Sequence, residues 1–162
     1  MVDPTTTPIP NNESFLPQST VLIVDDNPQN VELLLAFMEA LPVKLEIAVD
    51  GVDALEKVAK HHPDLILLDI MMPRMSGFEV CRRLKSDPET KDIQILMVTA
   101  LNELGDIEKA TECGTDDFVS KPVNKIELVT RVKSLLRVRH LKNELERALT
   151  YLDEVDQEEE TR

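Results

Sequence analysis

From residue 20 onward, short and wholly apolar runs alternate with stretches of helical periodicity, and each run stops at a polar residue. Val21-Leu22-Ile23-Val24 leads straight into Asp25-Asp26, the pattern of a strand buried on both faces. Pro28 suits the first turn of a helix, and Val31, Leu34, Leu35 and Met38 follow at helical spacing. A second strand is predicted around residues 45–49, ending at Asp50-Gly51. Ala54, Leu55, Val58 and Ala59 then mark a helix that Pro63-Asp64 closes. Leu65-Ile66-Leu67-Leu68-Asp69 repeats the opening theme of apolar strand and carboxylate. A helix is predicted near 76–86, stopped by Asp87-Pro88, and a fourth strand over 93–98, ending at Thr99. The next helix covers about 103–112, with Gly114 suited to its C-terminal cap. Phe118-Val119 makes a short fifth strand before Lys121-Pro122, and a long helix starts near Asn124.

Five strand–helix units of this kind imply a parallel sheet with helices on both faces. Right-handed crossovers make that sheet a doubly wound α/β domain. The chain of 162 residues, 42% of them hydrophobic, is long enough for one such core, and no apolar run approaches the length of a membrane span. Four of its ten prolines fall in the first 17 residues, so 1–19 reads as a polar, disordered tail. That tail has neither the charged start nor the apolar centre of a signal peptide. Cys81 and Cys113 lie in helical patterns without metal-ligand spacing, which fits reduced thiols and a cytoplasmic location. The absence of Trp and the single Tyr argue against aromatic cages and base-stacking platforms.

The formal charge of −13 argues against nucleic-acid binding, and its distribution matters more than its size. Residues 144–162 hold eight acids and two bases, whereas residues 128–143 hold five Lys or Arg and no acid. The first segment is a solvated helix end and the second a local basic collar.

Candidate chemistry comes from where the apolar runs end. In an open α/β sheet the functional crevice lies beyond the carboxyl ends of the strands. Asp25 and Asp26 follow the first strand, Asp69 the third, Thr99 the fourth and Lys121 the fifth. Singly, each is explained by a turn or a helix cap. Jointly, they place three carboxylates, a hydroxyl and an ammonium at one edge. Crowded carboxylates must take up protons or share a cation, and oxygen-only ligands favour Mg²⁺. Lys121 adds a point charge suited to a phosphoryl oxygen.

The stretches VLIVDDNP (21–28), DLILLDIMMPRMSGFEV (64–80), ILMVTA (95–100) and DDFVSKPV (116–123) resemble bacterial response-regulator receiver domains in order and spacing. The resemblance covers residues 20–140 and implies a flavodoxin-like (βα)₅ three-layer sandwich with strand order 2-1-3-4-5. It implies that Asp69 is the phosphoacceptor for a sensor histidine kinase or phosphotransfer protein, and that the chain is a signalling protein rather than a turnover enzyme. It further implies that Asp25, Asp26, Asp69 and the backbone carbonyl of Met71 hold Mg²⁺. Lys121, joined to Pro122 by a cis bond, then contacts the phosphoryl group, and Thr99 hydrogen-bonds it. Phe118 is the switch aromatic, and the face of the fourth helix, fifth strand and fifth helix changes with phosphorylation. Ser76 stands where Asp is common in this family. Met71 and Leu101 are both apolar and flank the site, an arrangement expected to shield an acyl phosphate from water.

Val138, Leu141, Leu145, Ala148, Leu152 and Val155 are spaced 3-4-3-4-3, an a/d seam carried past the domain in residues 141–162. A homodimer through this helix and the switching face is one expectation; a helix lying back on its own domain is the other. Two further functions remain in view. A receiver-like interaction module would not accept phosphate. A metal-dependent phosphatase usually has a second Asp two positions after its nucleophile, where this chain has Met71.

Overall fold

A computed structural model describes residues 18–100 and 104–161, with the backbone alone at 104 and 105. The predicted tail up to residue 17 and Leu101 lie outside the described residues. The elements are β1 (Ser19–Val24), α1 (Pro28–Met38), β2 (Val43–Ala48), α2 (Gly51–His61), β3 (Leu65–Leu68), α3 (Gly77–Ser86), β4 (Gln94–Thr99), α4 (Leu104–Cys113), β5 (Asp117–Ser120) and α5 (Lys125–Glu160). All four ladders are parallel, in the order β2-β1-β3-β4-β5, which makes the doubly wound (βα)₅ sandwich expected from the sequence.

The alternation of side chains along each central strand builds two separate cores. Leu22, Val24, Ile66, Leu68, Ile95 and Met97 face one way, onto Ala54, Val58, Val80, Leu84 and Ala110 of α2, α3 and α4. Val21, Ile23, Leu65, Leu67, Leu96 and Val98 face the other, onto Leu34 and Met38 of α1 and Leu128, Val132 and Leu136 of α5. A strand clothed on both sides has no polar position to spare until it leaves the sheet. This is why the first polar residue after each run lies at its carboxyl edge.

Element boundaries differ from the sequence expectation by one or two residues, and two of the differences bear on the site and on α5. β1 starts at Ser19, inside the stretch read as tail, because Ser19 pairs with Val43 in the ladder and its hydroxyl lies 2.8 Å from His140 Nε2. Thr99 is the last residue of β4 rather than the first beyond it, paired with Ser120 of β5. Helix α5 has 36 residues and a length of about 54 Å. Its buried residues are Leu128, Val132, Leu135 and Leu136. Arg139 Nε, 3.6 Å from Asp64 Oδ1, and His140 tie it to the amino ends of β3 and β1. Beyond them Leu141, Leu145, Leu149 and Leu152 are 63%, 60%, 54% and 56% exposed, so the helix leaves the domain instead of lying back on it. Among the described residues, no helix is long and apolar enough to cross a membrane.

Candidate functional site

The ladder between β1 and β3 sets two carboxylates side by side. It continues past the strands through Asp69 N, which donates to Val24 O at 3.0 Å, while Asp25 N donates to Ala48 O at 3.2 Å. Asp25 Oδ1 accepts from Asn27 N at 2.9 Å, and Asn27 caps α1 by accepting from Gln29 N. Across the sheet, Lys121 N donates to Thr99 O at 3.0 Å, which holds the end of β5 against that of β4. The Lys121–Pro122 peptide is cis.

These backbone anchors bring the side chains together. Carboxylate oxygens of Asp25, Asp26 and Asp69 lie within 4.8 Å of one another. Lys121 Nζ is 3.6 Å from Asp69 Oδ1 and 3.8 Å from Asp25 Oδ2. Asp25 and Asp69 are buried and Asp26 is exposed, so the cluster opens to solvent on the Asp26 side. Burial pushes the Asp69 carboxyl above the ordinary Asp range and the negative charge of Asp25 pushes it further; Lys121 and the Met71 amide, 3.4 Å from Asp69 Oδ1, pull against them.

Asp25 Oδ2 is buried and has no hydrogen-bond donor among the described residues. Its 3.8 Å approach to Lys121 is a charge contact too long for a hydrogen bond. A buried carboxylate oxygen left in this state is costly, and a cation is the partner it lacks. Three oxygen donors with one orphaned lone pair fit a hard divalent ion such as Mg²⁺.

Thr99 is buried and lines a cavity of ≈ 410 Å³ whose walls include Ile70 and Met71, the two residues that follow Asp69, with Ala100, Phe78 and Lys109. Met71 itself is 78% exposed. Its side chain stands at the rim of that cavity. Phe118 lies on the outer side of β5 beside buried Val119, and more than a third of its surface is open.

Gly77 is a residue the sequence reading passed over. A Cβ there would come within 2.2 Å of Asp69 O and 2.9 Å of Ile70 Cα. Gly77 N also donates to Ile70 O at 3.0 Å, so the first turn of α3 is pressed onto the loop that carries Asp69. The available signal was a cap-forming Ser followed by Gly just ahead of a helical pattern. Ser76 is that cap, its hydroxyl accepting from Glu79 N at 3.4 Å. Asp caps a helix in the same way, so Ser in its place keeps the local structure.

Comparison with known proteins agrees with this geometry. A family model described as the response regulator receiver domain matches residues 21–133. The response regulator PleD of Caulobacter vibrioides is 45% identical over 125 residues, 77% of this chain but only 28% of PleD. The chain thus spans less than a third of that relative's length. The crystal structure of a response regulator from Chloroflexus aurantiacus superposes with a TM-score of 0.71 at 33% identity, covering 75% of this chain and 99% of that one. The receiver domain of a Pseudomonas aeruginosa sensor histidine kinase, solved with magnesium coordinated in its active-site cleft, gives 0.68 at 25% identity, covering 74% and 98%.

Proposed function

The chain belongs to the response regulator receiver family of two-component signalling, and from that premise we propose that Asp69 accepts a phosphoryl group from a histidine on a sensor kinase or phosphotransfer protein. An Asp69 carboxylate oxygen attacks phosphorus as the phosphorus–nitrogen bond of the donor breaks, and the imidazole departs with its proton. The observation that carries this reading is the meeting of Asp69 with Lys121, Asp25 and Asp26 in one half-buried cluster.

Each group has a distinct task. Lys121, already 3.6 Å from Asp69, steadies a phosphoryl oxygen with a point charge. Asp25, Asp26, Asp69 and the Met71 carbonyl are the groups that would hold Mg²⁺, which when bound neutralises charge on the incoming phosphoryl oxygens. Thr99 donates its hydroxyl to the phosphoryl group from the end of β4. Its displacement, together with inward rotation of the half-open Phe118, shifts the population of the α4–β5–α5 face. The chain performs its own phosphorylation and dephosphorylation without turning over a separate substrate. Two surfaces meet other chains: the strand-end crevice meets the histidine donor, and the extended α5 meets a second copy.

Incubation with Mg²⁺ and a small acyl-phosphate donor tests the assignment. A mass gain of one phosphoryl group on the wild type, absent from Asp69→Asn, supports it. Rapid turnover of a phosphomonoester would favour the phosphatase reading, and an inert protein the interaction module.

A further inference from the structure

Helix α5 carries two patterns past the domain, one apolar and one charged, and together they specify a partner and its direction. The apolar pattern is the seam of Val138, Leu141, Leu145, Ala148, Leu152 and Val155, widened by exposed Leu149 and Tyr151. From 3.6 residues per turn, this seam lies about 130° round the helix from the Leu128–Val132–Leu135 stripe that packs on the sheet. A second helix can therefore lie along it without meeting the domain that carries it. The charged pattern is a gradient along the axis. Arg137 and Lys142 flank the start of the seam, whereas Asp153, Glu154, Asp156 and Glu158 surround its end.

We propose that the seam is covered by α5 of a second copy of this chain, running antiparallel. A parallel pair would set Arg137 beside Lys142 of its neighbour and stack both acidic ends together. It would also oppose Ala148 to Ala148, leaving the narrowest layer in the middle of a short seam. The antiparallel register that opposes Leu145 to Ala148 of the second copy avoids all three faults. It pairs Leu141 with Leu152 and Val138 with Val155, so every layer has a complementary partner. It also lays the Arg137–Lys142 segment beside Asp153, Asp156 and Glu158 of the other helix.

The two domains then sit at opposite ends of the helix pair, about 30 Å apart along its axis. Their α4–β5–α5 faces do not meet within the pair, so each stays open to other partners. Six apolar layers make a short interface, and the charge pairing at its flanks makes it dependent on salt. The orientation rests on α5 pairing with a second copy and is independent of phosphotransfer.

Sedimentation of the full, unphosphorylated chain gives the sign. With antiparallel pairing, Kd rises at least about fivefold between about 50 mM and about 500 mM NaCl, because complementary charges are screened. A Kd that falls over that range marks a parallel pair and overturns the proposal, as does a monomer at every concentration. Cross-linking gives the register. Val138→Cys and Val155→Cys, oxidised separately, yield no covalent dimer, and mixed they yield the heterotypic one. Homotypic dimers from either variant alone contradict the proposal. The native Cys81 and Cys113 are buried and stand aside from this chemistry. Leu145→Lys, at an exposed position, abolishes association while leaving the thermal unfolding of the domain unchanged.

Discussion

Lys121 Nζ faces Asp69 Oδ1 at 3.6 Å while standing 3.8 Å from Asp25 Oδ2, so one ammonium is shared between two buried carboxylates. It cannot neutralise both. Burial, and after it the negative charge of Asp25, keep the Asp69 carboxyl above its ordinary range, and Asp25 Oδ2 has no hydrogen-bond donor among the described residues.

Replacement of Lys121 by Met separates its two effects. Removing a cation beside three carboxylates tightens Mg²⁺ binding several-fold, read by calorimetry. The same change slows phosphorylation by a small acyl-phosphate donor about a hundredfold, because the phosphoryl oxygens lose their point charge. Equal loss of both properties would mean that Lys121 acts only by holding the loop in place.

The raised Asp69 carboxyl predicts a pH signature in the absence of metal. A carboxyl raised by folding binds its proton more tightly in the native state. Its stabilising contribution is therefore complete below the ordinary Asp range and is lost as pH rises through the raised value. With chelator present, Asp69→Asn should be more stable than wild type near pH 8, and the difference should shrink as pH falls toward the ordinary Asp range. Thermal melts across that range measure it. Saturating Mg²⁺ should remove the advantage by stabilising the wild type.

Gly77→Ala drives a methyl group to within 2.2 Å of Asp69 O. Backbone cannot yield as a flexible side chain does, so the cost should be about 3 kcal/mol, with weaker Mg²⁺ binding as the Asp69 loop is displaced. Gly114→Ala is the control. Its φ of +88° carries strain but its nearest neighbours are atoms of the Lys85 side chain, so about 1 kcal/mol is expected and metal binding should not change.

Ser76 caps α3, and the substitutions there should follow cap preference rather than site chemistry. Ser76→Asp should leave stability within about 0.5 kcal/mol of wild type, and Ser76→Ala should lose about 1 kcal/mol. Neither should alter the rate of phosphorylation. Denaturant titration and phosphorylation time courses check the two halves of this expectation.

The strand-end residues were legible because Val21–Val24 and Leu65–Leu68 have no polar position within them. A run of that kind is buried on both faces, so the carboxylate that follows it lies at the sheet edge. That the strands run parallel follows from their alternation with helices, whereas their order was implied by the family resemblance. Other features depend on contacts distant in sequence. Ser19 joins β1 through partners at Val43 and His140. Gly77 is required by the carbonyl of Asp69, eight residues earlier and across a tight loop. Met71 and Phe118 show a different limit. Residue type marks both as apolar, but whether each is covered depends on which elements the fold brings beside it, which composition does not encode. In α5 the heptad spacing located the seam, while exposed Leu149 and Tyr151 make the apolar face broader than the a/d positions alone indicate.

The central claim concerns one oxygen-bearing side chain among many, and trapping the acyl phosphate tests it most directly. Borohydride reduces an aspartyl phosphate to homoserine and releases phosphate, so the residue that carried the group is marked permanently. After treatment with an acyl-phosphate donor and Mg²⁺, tandem mass spectrometry should find homoserine at position 69 and at no other acid, Asp25 and Asp26 included. Homoserine at either of those neighbours, or an unmarked chain under conditions that load Mg²⁺, would contradict the assignment of Asp69.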